Sequence, residues 1–289
     1  CVEKGPSFVG VIVMKYNRIL TIQDISCLGQ CSMTVALPIL SACGQETCII
    51  PSAVLSTHTG GFQKPQIRDI SMDIPAIAAH WGREKVDFDA IYTGYLGTKE
   101  QIADVAQVFD TLLKEGGKII VDPAMADHGK LYSGFDMEYA RAMGELCKKA
   151  DVILPNLTES CLLTETPYRE SYDEAYVEEV LSKLHEMGMK TVVLTGVSFC
   201  PEETGVMLSD GENTHYYRHK KLARSYHGTG DIYASAFVGS WLGGRSMEQA
   251  MAIAADYACE CIAATIPDEN HWYGTKFESV LYKLIEKLK

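Results

Sequence analysis

The residues best equipped for chemistry are Gly228, Thr229, Gly230 and Asp231, which stand together within residues 224–237. The two glycines allow a tight backbone turn with unhindered N–H groups, and the small and apolar residues from Asp231 onward read as a helix. Glycines that lead into a helix N-terminus make an anion hole, because unpaired N–H groups and the helix dipole face the ligand together. An acid at the mouth of such a hole weakens phosphate binding unless it has another task. Asp231 is placed to take a proton from an attacking hydroxyl, while charge on a transferred phosphoryl group lies against the N–H groups of residues 228–230. The plainer alternative is that Asp231 only caps the helix. The chain has no G-x-x-x-x-G-K-[ST], which excludes a P-loop NTPase, and no G-x-G-x-x-G after its first strand, which disfavours a dinucleotide site.

The elements that must position these residues alternate short β-rich runs with longer helical patterns. Strands are expected over residues 18–23, 46–51, 88–93, 118–121, 151–154, 191–194, 205–209 and 214–218. The first six are nearly continuous apolar runs, as strands buried on both faces must be. The last two read as a hairpin around Asp210 and Gly211. Helices are expected over 32–42, 70–81, 98–114, 137–148, 172–187, 231–242, 246–264 and 276–289. Ser246 and Gln249 make a capping box, and Gly116, Gly117 and Gly188 are helix stops. The fold class is therefore α/β, a mostly parallel central sheet with helices on both faces.

Polar residues follow the strands in series: Asp24, then Gly94 and Tyr95, Asp122, Asn156, and Thr195 with Gly196. The carboxyl ends of strands in an open parallel sheet line one edge, where ligands bind. Each residue alone is an ordinary loop residue. Five such groups in series place a polar rim around one cleft.

The chain has 289 residues, 47% hydrophobic and 22% charged, with formal net charge −12. No linker, low-complexity tract or repeat divides it, so one domain over 14–289 is expected, with residues 1–13 an extension outside the fold and Met14 the natural start. The acidic balance argues against nucleic acid and anionic membranes as partners. No segment is long and apolar enough to span a bilayer, so a cytosolic protein is expected. Of ten cysteines, Cys43, Cys48, Cys147, Cys161, Cys259 and Cys261 lie in apolar stretches, and Cys27 and Cys31 lack a second Cys/His pair at zinc-site distance. They read as buried thiols.

At this point the residues resemble a family. Gly228-Thr229-Gly230-Asp231 near the end of a βα-rich chain is similar to the anion-hole signature of ribokinase-like kinases. Further motifs resemble the pyridoxal kinase branch: Ser56-Thr57-His58-Thr59-Gly60, Thr93-Gly94-Tyr95, Val121 to Asp127 with Gly129 to Tyr132, and Pro155-Asn156-Leu157-Thr158-Glu159. Order and spacing agree from about residue 18 onward. The resemblance implies a ribokinase-like fold and an ATP-dependent kinase for a B6 vitamer's 5′-hydroxyl, acting as a homodimer. Asp231 would be the base, and Gly228, Thr229 and Gly230 the anion hole. Asp122, Asn156 and Glu159 would place Mg²⁺ and its waters, with Asp127 near the γ-phosphate. Thr195 and Gly196 would border the nucleotide phosphates, and Lys221, Ala223 and Ser225 the adenine. Thr59 and Tyr95 would contact the pyridine ring with Asp24 and His58 beside them, and Tyr132 would cover the site; a turn-holding role for His58 stands equally open.

The chain also departs from that branch. Asp24-Ile25 and Ser32-Met33 stand where many members carry Ser-His and Gly-Asn; Asp24 is more like the sugar and pyrimidine kinases. Leu154 stands where the branch often has Thr, which leaves a monovalent cation an open addition to ATP and Mg²⁺. The alternatives are a hydroxymethylpyrimidine or sugar kinase of the same fold, and a ligand-binding sensor on a kinase scaffold.

Overall fold

The apolar runs form strands that stack side by side, buried on both faces. The computed structural model describes residues 15–289; the expected extension 1–13 lies outside the described residues. The chain runs β1 (Arg18–Ser26), α1 (Met33–Ala42), β2 (Glu46–Leu55), β3 (Ile67–Asp69), α2 (Asp73–Arg83), β4 (Phe88–Thr93), α3 (Lys99–Leu112) and β5 (Leu113–Val121). There follow the short strands β6 (Ala126–Asp127) and β7 (Lys130–Leu131), then α4 (Met137–Lys149), β8 (Val152–Ile153), α5 (Leu157–Leu163), α6 (Glu174–Glu186) and β9 (Val192–Val197). The last part holds β10 (Glu203–Ser209), β11 (Thr214–Lys220), α7 (Thr229–Leu242), α8 (Met247–Thr265), a 3₁₀ turn (Phe277–Val280) and α9 (Leu281–Lys287). The nine-stranded sheet has the order β11-β10-β9-β8-β5-β4-β1-β2-β3. Its six central strands, β9 to β2 in that order, are parallel, and β3, β10 and β11 are antiparallel to their neighbours.

Side-chain alternation splits the interior into two cores. Ile19, Ala90, Ile120, Val152 and Val193 face α1, α7, α8 and α9. Leu20, Ile22, Ile91, Val121, Ile153 and Val192 face α2 to α6. Helix α7 is apolar all round, as a helix wrapped by neighbours must be, and its residues from Ile232 to Ser240 are all buried.

Four expectations need correction. Helix α3 stops at Leu112 rather than Lys114, and Gly116 and Gly117 lie within β5, where a bulge shifts the register between Phe88 and Ala90. The extra residues of the bulge need Gly116 at φ 76°. The expected C-terminal helix breaks into the 3₁₀ turn and α9. Helix α5, β3 and the β6–β7 hairpin had no sequence forecast, being too short to show a period. Among the cysteines, Cys27 is exposed and Cys31 half-buried; they are unbridged, as are the others in the described residues.

Gly239 of α7 packs tightly against Cys43, which follows α1. A Cβ there would stand 2.6 Å from both the Cβ and Sγ of Cys43. Gly239→Ala should therefore lower stability by about 1–3 kcal/mol through overpacking, with turnover per folded molecule retained. Thermal melting of the variant checks this, and an unchanged melting temperature would show that the two helices part freely.

Candidate active site

The N-terminus of α7 forms its cradle through Gly228. That residue has φ 79°, and a Cβ would meet the Gln30 carbonyl oxygen at 1.7 Å, so only glycine fits. The first intrahelical bond runs from the Ile232 N–H to the Gly228 carbonyl at 3.0 Å, which leaves the N–H groups of Thr229, Gly230 and Asp231 without helical acceptors. The Thr229 hydroxyl is turned back to donate to the Tyr226 carbonyl at 2.8 Å. Nothing lies within 4 Å of the position a Gly230 Cβ would take. The helix thus presents bare N–H groups to an open space.

Asp231 sits in the first turn, partly exposed. Its poorly solvated surroundings push its carboxyl up to about 7; the Ser32 backbone N–H opposes this and the nearby Asp24 charge adds to it. Asp24, only 4% exposed, is raised by burial too, and hydrogen bonds from Ser32 and Ser26 hold it back. Ser32 serves both acids from a strained backbone, at φ 52°. Asp122, at the end of β5, is pushed well up by burial and by the neighbouring Glu159 and Asp231. Asp24, Asp122, Glu159 and Asp231 therefore share one rim.

Asn156 and Glu159 build the loop beneath that rim. They form a capping box on α5: the Asn156 Oδ1 accepts from the Glu159 N–H, and the Glu159 Oε2 from the Asn156 N–H, both at 2.9 Å. Glu159 is not solvated as a first-turn acid would be; it is 2% exposed. Its Oε1 accepts from Met125 at 2.9 Å and Ala126 at 3.4 Å, and the Asn156 Nδ2 donates to the Ala126 carbonyl at 2.8 Å. Burial pushes Glu159 up to about 7 against these three N–H donors. Asn156 and Glu159 thus hold the 125–126 backbone and each other, and they shape the loop beside Asp122. Among the described residues no three His, Cys, Asp or Glu side chains converge to hold a metal. Asp122 fits one better. Its Oδ1 accepts from Ala124 at 3.1 Å, and its Oδ2 takes no hydrogen bond from the described residues.

Tyr132 is 41% exposed, and burial together with Glu159, Asp127, Asp122 and Asp231 raises its phenol, so its hydroxyl faces the acidic rim. Asp127 is exposed on the β6–β7 hairpin and accepts from the His128 N–H at 2.8 Å. Thr195 pairs with Asn156 across a bridge, and Gly196 follows at φ 73° with open space where a side chain would stand.

The other half of the cleft lies around Asp24. Tyr95, half-buried and stacked on Phe135 at 5.6 Å, is raised by burial and by the Asp24 charge. Both nitrogens of His58 are engaged: Nδ1 accepts from the Gly60 N–H at 3.1 Å, and Nε2 donates to the Tyr273 carbonyl at 2.8 Å. That is the turn-holding arrangement. It leaves Thr59 exposed at the tip, and the His227 ring lies where a Gly60 Cβ would be, 2.4 Å away. Lys221, Ala223 and Ser225 lie exposed on the stretch after β11, and no described contact brings them against Asn156 or Asp122. Ser32, His227, Phe62 and Trp272 also line these loops, and sequence reasoning missed them. Only Ser32 carried a signal, standing where the resembling branch has glycine.

The comparisons agree with this architecture. The family model described as phosphomethylpyrimidine kinase matches residues 39–275. A Bacteroides thetaiotaomicron protein assigned as a phosphomethylpyrimidine kinase, in its crystal form with pyridoxal, is 36% identical with TM-score 0.87, over 93% of this chain and 96% of that one. Pyridoxal kinase from Lactobacillus plantarum is 31% identical with TM-score 0.86, over 93% and 97%. Pyridoxal kinase from Leishmania donovani, solved with ADP and pyridoxamine, is 25% identical with TM-score 0.79, over 92% and 95%.

The raised carboxyls fix a pH dependence. Asp231 and Glu159 keep their protons up to about 7 when folded and lose them near 4 when unfolded. The folded state binds more protons between those limits, so stability rises as pH falls from 7.5 toward 5. His58, lowered by burial, works in the opposite sense. Asp231→Asn should melt above the unmodified protein at pH 7.5, and the gap should close at pH 5, where Asp231 is neutral anyway. Melting curves of the ligand-free proteins decide it; a lower melting temperature at pH 7.5 would mean the carboxylate is stabilised in place.

Proposed function

The chain belongs to the phosphomethylpyrimidine kinase family, and from that premise we propose that it transfers the γ-phosphoryl group of ATP to the 5′-hydroxyl of pyridoxal, pyridoxine and pyridoxamine. The observation that carries this reading is Asp231 on the bare N-terminus of α7 with Asp24 and Tyr95 beside it. The acceptor hydroxyl gives its proton to Asp231 as its oxygen bonds to the γ-phosphorus. The bond from that phosphorus to the bridging oxygen breaks, and ADP leaves. The N–H groups of residues 228–230 take up the charge that builds on the transferred group. A carboxyl at about 7 suits this task, since a base works best when its proton affinity matches the working pH.

Asp122, with its free Oδ2, would hold Mg²⁺, with Glu159 and Asn156 shaping the loop around it. Mg²⁺ keeps several waters and would neutralise phosphate charge. Asp127, Thr195 and Gly196 would flank the phosphates, and Lys221, Ala223 and Ser225 the adenine. Tyr132 would cover the site, and Asp24, Thr59 and Tyr95 would meet the ring. Cytoplasmic location and a homodimer belong to the same reading, on the resemblance; no described helix is long and apolar enough to cross a membrane.

A second acceptor, hydroxymethylpyrimidine, is favoured by the buried Asp24 within β1 and by the family description. ATP consumption measured side by side with pyridoxal, pyridoxine, pyridoxamine, hydroxymethylpyrimidine and ribose separates the readings. A B6 vitamer should turn over fastest; no turnover with any alcohol would leave a binding protein on a kinase scaffold.

Two variant sets follow. Asp231→Asn keeps the size and an oxygen for the Ser32 N–H but cannot accept the proton, so kcat should fall about 10²–10⁴-fold while the protein still folds and binds ATP. Near-normal kcat in that variant would remove Asp231 as the base. Thr59→Ala and Tyr95→Ala should raise KM for the vitamer more than they lower kcat and leave KM for ATP nearly unchanged. An effect confined to ATP would place them in the wrong half of the cleft.

A further inference from the structure

Beneath the N-terminus of α7 the sheet turns polar where solvent does not reach. On the face that α7 covers, β1 presents Ile19, Thr21 and Gln23 in turn, β4 presents Ala90 and Tyr92, and β5 presents Ile120 and then Asp122. The register sets Tyr92 between Thr21 and Ile120. Apolar residues thus give way to polar ones as the strands near their carboxyl ends, under the helix that carries Asp231.

Tyr92 is fully buried at the centre of this patch. The side chains of Gln23 and Ser235 lie beside its hydroxyl, and the charges of Asp122 and Asp231 act on it. Yet Tyr92 Oη, Gln23 Oε1 and Ser235 Oγ are closed off from solvent, and none makes a well-formed hydrogen bond. Gln23 is already anchored by its Nε2, which donates to the Thr21 Oγ1 at 2.8 Å. Space for its amide is left by Gly94, where a Cβ would stand 2.7 Å from Gln23 Oε1. Three buried, unmet polar atoms from three elements converging on one point call for a partner or a purpose. Their places suggest the purpose: Ser235 is one helical turn beyond Asp231, Gln23 directly precedes Asp24, and Tyr92 lies beside the strand that ends in Asp122.

We propose that Gln23, Tyr92 and Ser235 form a buried hydrogen-bond junction, closed directly or through one ordered water, and that Tyr92 is a positioning residue for Asp231. A hydroxyl bridging Ser235 to Gln23 fixes the first turns of α7 against the strands that carry Asp24 and Asp122. A buried water suits the site, since such waters bridge polar groups that would otherwise stay unmet.

This inference rests on the reading of Asp231 as the base, and the test keeps the two apart. Tyr92→Phe removes one oxygen and keeps the ring. With the alcohol that turns over best, its kcat should fall on the order of 10–100-fold, with KM for both substrates within about twofold, because misplacement of a reacting group costs rate rather than binding. Ser235→Ala should lower kcat similarly, and the double variant no further than the worse single one, because both break one junction. Crystal structures of the unmodified protein and of Tyr92→Phe supply a readout that needs no substrate. The first should show the three atoms joined, and the second an Asp231 carboxylate shifted or split between two conformers. If Tyr92→Phe fails to fold, Ser235→Ala carries both readouts. An unjoined cluster in the unmodified protein, an unmoved Asp231 with kcat intact, or additive losses would overturn the junction. If no alcohol turns over, the substrate reading fails and the crystal structures still decide the junction.

Discussion

Four carboxyl groups, Asp24, Asp122, Glu159 and Asp231, share one poorly solvated rim, and the architecture around them is what makes that gathering tolerable. A buried carboxylate needs donors or a cation, and without them it keeps its proton. Glu159 has three backbone N–H donors, Asp24 has two serine hydroxyls, and Asp231 has the Ser32 N–H. Asp122 is the least provided, with one N–H at its Oδ1. All four are still raised by burial. The rim therefore disfavours negative charge at neutral pH, and a divalent cation beside Asp122 would offset it.

The rim holds together because distant segments interlock on their backbones. Gly228 presses against the Gln30 carbonyl, and a Gly274 Cβ would stand 2.5 Å from the Gln30 side-chain oxygen. One residue thus braces both the anion-hole turn and the loop after α8. Ser32, two residues on, accepts a strained φ and reaches both Asp24 and Asp231. Strain of this kind persists where surrounding contacts over-determine the backbone. The cradle is therefore a property of the 27–32 loop as much as of the glycines that mark it.

Both the legible and the illegible parts of this site follow from range. Long apolar strands such as β1 and β4 and long amphipathic helices such as α4 and α6 announce themselves by period, and the turn at Gly228 by its glycines. Asp24, Asp122, Asn156 and Asp231 could be placed on one edge because parallel strands share a direction. What could not be read was partnership. Asn156 and Glu159 are near neighbours in the linear sequence, and only the fold shows them holding each other and residues 125 and 126. Tyr92 reads as one more apolar strand residue; its hydroxyl becomes conspicuous only when the register sets it beside Thr21 and α7 is laid over it. Helix α5 and the β6–β7 hairpin are too short for any periodicity, yet they carry the loop under the rim.

Choice of acceptor must be settled away from this machinery. An anion hole and a base serve any alcohol brought to them, so α7 cannot tell a pyridine from a pyrimidine. Strong discrimination comes from buried polar groups that a wrong ligand leaves unpaired, whereas apolar contacts distinguish similar rings weakly. Under the proposed reading Asp24 is the buried polar group on the acceptor side, its Oδ2 accepting from the Ser26 hydroxyl at 3.0 Å. The remaining walls belong to two loops held together by the bond from His58 to the Tyr273 carbonyl and by Phe62 packed on Trp272 at 4.7 Å. Trp272 reaches over Gly61, where a Cβ would stand 2.9 Å from its ring. Under the proposed reading acceptor preference rests on Asp24 together with the 56–62 and 271–275 loops around Thr59, so two chains with the same α7 cradle can differ in substrate.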